Sequence, residues 1–246
     1  MRLVIAILFV FSIVLSANAQ QPASAEASSW ETQAGILRTA RNWHGLLDHA
    51  DRWIKLFPGS AKAWNAKSEA YLQLGRPLFA EDPAKEAIRL KPDFAEAWAN
   101  LAFFQATYSD LLFSYVETTR SAREAIRLKK DYPVGWLALG IAERRGGQRQ
   151  AAVDAFKEAI RLDPSNSSAW RYMAIELRVL KRYDQAIDAF NNAIRLRPGD
   201  GPAFYGLGLV YAELGQRKKV QEVYEKLMSV EPQLANQFYD EVVLHP

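Results

Sequence analysis

The chain has 246 residues, 49% of them apolar and 24% charged, with a formal net charge of +3. That balance is globular, and so slight a positive charge makes no electrostatic case for nucleic acid as a partner. There is no cysteine, which excludes disulfides, thiolate metal sites and a lipid-modified cysteine together.

The first elements in chain order are a targeting segment and a leader. Met1-Arg2 supplies a positive start, Leu3 to Leu15 is almost unbroken apolar sequence, and Ala17-Asn18-Ala19 fits the small-x-small rule for cleavage before Gln20. Residues 1–19 therefore read as a secretory signal peptide, because the apolar run falls short of the roughly 20 residues that a bilayer span needs. No later segment is apolar enough to span, so the mature chain is expected to carry no stable membrane span and to be exported, to the periplasm or beyond the cell. Residues 20–29, QQPASAEASS, are small, polar and aperiodic, as a flexible leader is.

From there a repeat takes over. Trp30, Trp64, Trp98, Trp136, Trp170 and Phe204 are separated by 34, 34, 38, 34 and 34 residues, and Pro58, Pro92, Pro164, Pro198 and Pro232 keep step with them, Lys130 standing where the missing proline would be. A period of this length marks an array of one repeated unit. The units run approximately 27–60 (degenerate), 61–94, 95–132, 133–166, 167–200 and 201–234. Each has room for two antiparallel helices and a tight turn, a pair that cannot bury its own apolar faces. The expected fold is therefore all-α, an α-solenoid (superhelix) of stacked helix-turn-helix units forming one domain over 30–246.

Within the unit 167–200, Trp170, Met173, Ala174 and Leu177 share one helical stripe, matched by Ala186, Phe190 and Ala193 on the next helix. The pattern returns as Trp136, Leu139 and Gly140 with Ala152, Phe156, Ala159 and Pro164, and as Phe204, Leu207, Gly208 and Tyr211 with Val220, Tyr224, Leu227 and Pro232. This resembles the tetratricopeptide repeat family, whose motif is W-x-x-L-G-x-x-Y, then A-x-x-x-F, then a closing P. The resemblance extends from Trp30 to Pro232. Glu143 and Gln105 replace the motif tyrosine, and the first unit keeps little beyond its ends.

Local departures carry their own expectations. In the unit 61–94, Pro77 and Pro83 predict a second helix that starts late, with Asp82 as its cap and Pro83 in the first turn. The 38-residue unit holds four extra residues within Phe103 to Thr118, close to one helical turn, which concentrates Phe103, Phe104, Tyr108, Phe113 and Tyr115. Those aromatics serve either a longer core or an exposed contact patch. After Pro232, Leu234, Phe238 and Val242 form one apolar stripe, predicting a capping helix over 233–244.

The first helix of each unit has a third face beside its core and small-residue faces. There the last three units place Leu137, Ile141 and Arg144, then Arg171, Ile175 and Arg178, then Tyr205, Leu209 and Ala212, at i, i+4 and i+7. By the resemblance, this face lines a concave groove that holds peptides. The residues Leu137, Ile141, Arg144, Arg171, Ile175, Arg178, Tyr205 and Leu209 would then receive a protein or peptide segment with apolar and acidic side chains. The lysine and asparagine clamp of one subgroup is not evident, since Asn65, Glu69, Val134 and Ala138 occupy the equivalent sites.

Catalytic chemistry is not indicated. His44 and His49 are five apart and do not share a helix face, so no metal is expected; no phosphate loop, nucleophile elbow or dinucleotide motif occurs, so no cofactor is expected either. Most carboxylates read as solvated or capping. Asn166-Ser167-Ser168 matches a glycosylation acceptor pattern. The reading that results is a non-enzymatic, exported adaptor that assists assembly of an envelope complex. Its rivals are a holdase for exported chains and a carboxylate-based enzyme or carbohydrate-binding module.

Overall fold

The recurrence of aromatic and proline has a direct structural cause. The indole Nε1–H of Trp64 donates to the carbonyl of Pro58 at 2.8 Å, that of Trp136 to Lys130 at 2.8 Å, and that of Trp170 to Pro164 at 3.0 Å. Each ring is pinned across the joint between two repeats and stays half-buried. Because the acceptor is a backbone carbonyl, lysine at position 130 serves as well as proline.

The computed structural model describes residues 28–108 and 115–244, leaving aside the side chains of Tyr108, Val243 and Leu244. The expected signal peptide, most of the leader, and Phe113 lie outside the described residues. The chain divides into two compact units, one ending at Pro92 and one beginning at Asp93. Among the described residues there are thirteen α-helices and no strand, arranged as helix-turn-helix pairs that stack solenoid-fashion within each unit.

The first unit contains α1 (28–39), α2 (Trp43–Leu56), α3 (Ala61–Gln73) and α4 (Glu81–Leu90). Asn42 and Ser60 cap α2 and α3, accepting from the N–H groups of Gly45 and Ala63 at 2.9 and 3.3 Å. Leu46, Ala50, Trp53, Ala63, Ala66 and Ala70 form its core, with Trp30 and Leu37 packed against it. His49 is buried there, its Nε2 2.9 Å from the carbonyl oxygen of Trp30 and its ring against Trp30 and Trp53, so its role is packing. The second helix of the unit 61–94 does start late, but Asp82 is not its cap. A 3-10 turn, Pro77–Phe79, leads directly into α4, whose N-cap is Ala80 with no side-chain bond. Ser68 Oγ donates to the Ala80 carbonyl at 2.8 Å and fixes that junction, while Glu81 and Asp82 sit in the first turn, where the helix dipole favours them.

The second unit runs α5 (Ala95–Tyr108), α6 (Tyr115–Leu128), α7 (Pro133–Arg145), α8 (Arg149–Leu162), α9 (Ser167–Val179), α10 (Tyr183–Leu196), α11 (Gly201–Glu213), α12 (Arg217–Val230) and α13 (Pro232–Tyr239). Three of its largest buried side chains come from second helices and the cap: Phe156, Phe190 and Phe238 are fully buried. Each ring lies against a glycine. A Cβ added at Gly140 would come within 2.4 Å of Phe156, one at Gly206 within 2.3 Å of Phe190, and one at Gly208 within 2.5 Å of Phe238. Gly206 thus lets α11 approach the preceding repeat. The motif tryptophans flank this core and do not fill it.

The capping helix is present as α13, followed by one π turn, Asp240–Leu244. Ala235 and Phe238 are buried on α11 and α12, with Leu234 and Val242 beside them. Of the insertion aromatics, Phe104 is buried and Phe103 packs on the core cluster. Tyr115 lies against Gly146, and its hydroxyl donates to Glu143 at 2.5 Å. Phe103 and Phe104 serve the core, whereas Tyr115 is held at one end by Glu143 and is still 39% exposed.

Candidate partner-binding face

Short turns reverse the chain after each helix, so α7, α9 and α11 run side by side and present their third faces together. The structure separates the eight candidate residues into three groups. Leu137 and Ile141 are only 6% and 2% exposed and belong to the core cluster with Phe103 and Ala106 of α5. The expectation that this face has no packing duty fails for them, because α5 packs directly on α7. Tyr205 and Leu209 are partly covered by the cap. The Tyr205 ring meets Phe238 edge-on at 5.5 Å, and its hydroxyl donates to Glu241. Burial first, then that hydrogen bond and the Glu241 charge, push the Tyr205 phenol up to about 12. Ile175 is half-buried and bordered by the arginines.

The arginines differ in what they face. Arg178 pairs with Glu213. Arg171 Nε lies 3.3 Å from Asp200 Oδ2, an ion pair whose alignment does not make a hydrogen bond. Asp200 is itself the N-cap of α11, its Oδ1 accepting from the N–H of Ala203 at 3.1 Å. Arg144 has no carboxylate partner among the described residues, and its buried Nε makes no hydrogen bond. Its guanidinium carbon stands 5.5 Å from the centre of the Tyr172 ring, with that of Arg171 at 4.9 Å from the same ring. Tyr172 in turn stacks on Phe156 at 5.8 Å.

Sequence reasoning missed Tyr172. The signal was present: its position on α9 corresponds to Ala66, Ala138 and Gly206, so a tyrosine interrupts a row of mostly small residues. It also missed three buried carboxylates, Asp200 and two glutamates. Glu143 is 4% exposed and is held by Tyr115 and by Arg123 Nη2 at 3.1 Å; Glu176 is 1% exposed and is held by Arg149 Nη1 at 3.0 Å. Glu143 occupies the motif tyrosine position, an inward one, and that was the available clue. Asn166 is an N-cap, accepting from the N–H of Ala169 at 3.0 Å.

This arrangement offers an extended surface with cations, built from stacked repeats. Models of the tetratricopeptide repeat match residues 137–201, 173–217 and 201–234, and that part of the chain carries such repeats. No curated protein matches the chain. Among solved structures, the chain is similar to PilW, described as a widely conserved type IV pilus biogenesis factor, with 18% identity over 83% of this chain and 93% of that one and a TM-score of 0.67. It is similar to pilF of Pseudomonas aeruginosa, with 16% identity over 87% and 96% and a TM-score of 0.67. It is also similar to YrrB, a repeat protein of this kind described as having an unusual peptide-binding site, with 19% identity over 78% and 97% and a TM-score of 0.56. At these identities the likeness is one of fold.

Proposed function

We propose that the protein is an exported, non-enzymatic scaffold that holds a segment of a partner protein along the faces of α7, α9 and α11 and so assists assembly of an envelope complex. The observation that carries this is Arg144, a guanidinium without a carboxylate partner among the described residues, set beside Tyr172 of α9, the helix that also carries the half-buried Ile175. A cation stacked on an aromatic ring and bordered by apolar surface suits a segment with acidic and apolar side chains. Leu137 and Ile141 shape the floor from below and do not contact the partner. The peptide-binding site described for YrrB and the pilus role described for PilW are consistent with this reading. Export rests on the charged start, the apolar run and Ala17-Asn18-Ala19.

Affinity capture from the envelope fraction, followed by identification of what elutes, tests the scaffold reading. Arg144→Glu and Ile175→Asp are each expected to weaken retention of the captured partner roughly tenfold, the first less so at high salt. Equal retention by both variants sinks this face as the site. Intact-mass measurement on the native protein is expected to show a chain beginning at Gln20.

A further inference from the structure

Charge in the turns between α7 and α12 is sorted by edge. Because these helices alternate in direction, the turns that follow α7, α9 and α11 lie on one edge and the turns that follow α8 and α10 lie on the other. Residues 145–150, 179–183 and 214–219, which make the first set, contain seven cations and no carboxylate, in a chain whose net charge is only +3. The opposite turns, DPSN at 163–166 and RPGD at 197–200, carry three carboxylate-bearing or basic residues of mixed sign. Arg149 is committed to the buried Glu176, but Lys181, Arg182, Arg217 and Lys218 are exposed and face no carboxylate partner among the described residues.

Two features place these cations where local preference is against them. The residue closing α3, α7 and α11 lies in the left-handed region, where Gly75, Gly147 and Gly215 stand at φ of 67°, 72° and 68°. Lys181 occupies the same place at 59°, where a side chain is sterically disfavoured. Arg182 is the N-cap of α10, and Arg217, Lys218 and Lys219 stand in the first turn of α12, where the helix dipole repels positive charge. The same turns expose apolar groups: Val179 is 40% exposed and Leu214 37%.

We propose that this edge, at residues 179–183 and 214–219, docks the protein on an anionic lipid surface, the cations facing headgroups and Val179 and Leu214 entering the interfacial layer. Cations interleaved with exposed apolar residues are what such an interface attracts. Repetition of that chemistry from one turn to the next suits a surface that presents the same charge everywhere. The mode is peripheral and needs no spanning helix, and it stands independently of the partner-binding face.

Flotation with phosphatidylcholine vesicles, with and without phosphatidylglycerol, tests it. The protein is expected to float only with the anionic vesicles, and rising salt should release it. Replacing Lys181, Arg182, Arg217 and Lys218 together by glutamine should lower partition about a hundredfold or more. A variant that exchanges lysine and arginine at those four positions, and so keeps the charge, should float like the parent. All four side chains are exposed, so both variants should unfold as cooperatively as the parent. Absence of flotation, equal flotation on neutral vesicles, undiminished flotation of the glutamine variant, or tighter binding to soluble polyglutamate than to vesicles overturns the proposal.

Discussion

Arg171 Nε on α9 lies 3.3 Å from Asp200 Oδ2, the carboxylate that also caps α11 of the next repeat. Asp200 is 4% exposed, so Arg171 compensates a charge held away from water as well as bordering the partner-binding face. Arg171→Glu would set two carboxylates together at a repeat joint. The expected loss is about 2–4 kcal/mol, read by denaturant or thermal unfolding. Arg144→Glu removes only a stacking contact and should cost about 1 kcal/mol or less. If the two variants unfold alike, the Arg171–Asp200 pair does not hold the joint.

Ala186 is fully buried on α10, against the first helix of its own repeat. Ala186→Leu adds volume where no side chain can yield cheaply, and should destabilise by about 1–3 kcal/mol. Because each repeat is stabilised by its neighbours, hydrogen exchange should speed up in α8 and α11 as well as in α9 and α10. Exchange raised in α10 alone would show that the repeats are energetically separate.

The period made the helix pairs, their order and the cap legible, since Trp64, Trp136 and Trp170 are fixed by hydrogen bonds to residues six before them in the chain. Local sequence carries that kind of information. The candidate face was legible only in part. Ile175, Arg144 and Arg178 remain outside the buried core, but whether Leu137 and Ile141 stay open depends on how closely α5 approaches α7, which no spacing within one helix encodes. Likewise, whether an arginine is available to a partner depends on a carboxylate some thirty residues away: Asp200 answers Arg171 and Glu213 answers Arg178, while Arg144 is answered by none among the described residues. The start of α4 was misplaced because Pro77 opens a 3-10 turn that supplies the entry that Asp82 had been expected to make.

The Tyr205 phenol, pushed up to about 12 by burial and by Glu241, titrates ordinarily near 10 in an unfolded chain. The folded state therefore favours the protonated phenol. The stabilisation this gives is fully present below about pH 10 and is lost as pH rises from there to about 12. Tyr205→Phe should lower stability near neutral pH by about 1 kcal/mol, through loss of one hydrogen bond. The gap between parent and variant should then narrow across the alkaline window. Tyr183 and Tyr211 are also shifted upward, so only that difference isolates Tyr205. A constant gap would mean that Tyr205 does not hold its proton against Glu241.

Lys181 closes α9 at φ 59° in the place that glycine takes in three other repeats, and the N–H of Arg182 still donates to the Leu177 carbonyl at 2.9 Å, so the turn is formed in spite of the side chain. The left-handed conformation costs a non-glycine residue about 1–2 kcal/mol, partly offset by the greater freedom that glycine has when unfolded. Lys181→Gly should therefore raise stability by about 0.5–1 kcal/mol. Arg41→Gly, at φ 51° at the end of α1, should act alike. Gly147→Lys makes the opposite change at φ 72° and should lower stability by a similar amount. Denaturant unfolding of the three variants checks the set. A loss of stability in Lys181→Gly would show that this side chain makes contacts outweighing the strain, and the argument that Lys181 stands there against local preference would lose its basis.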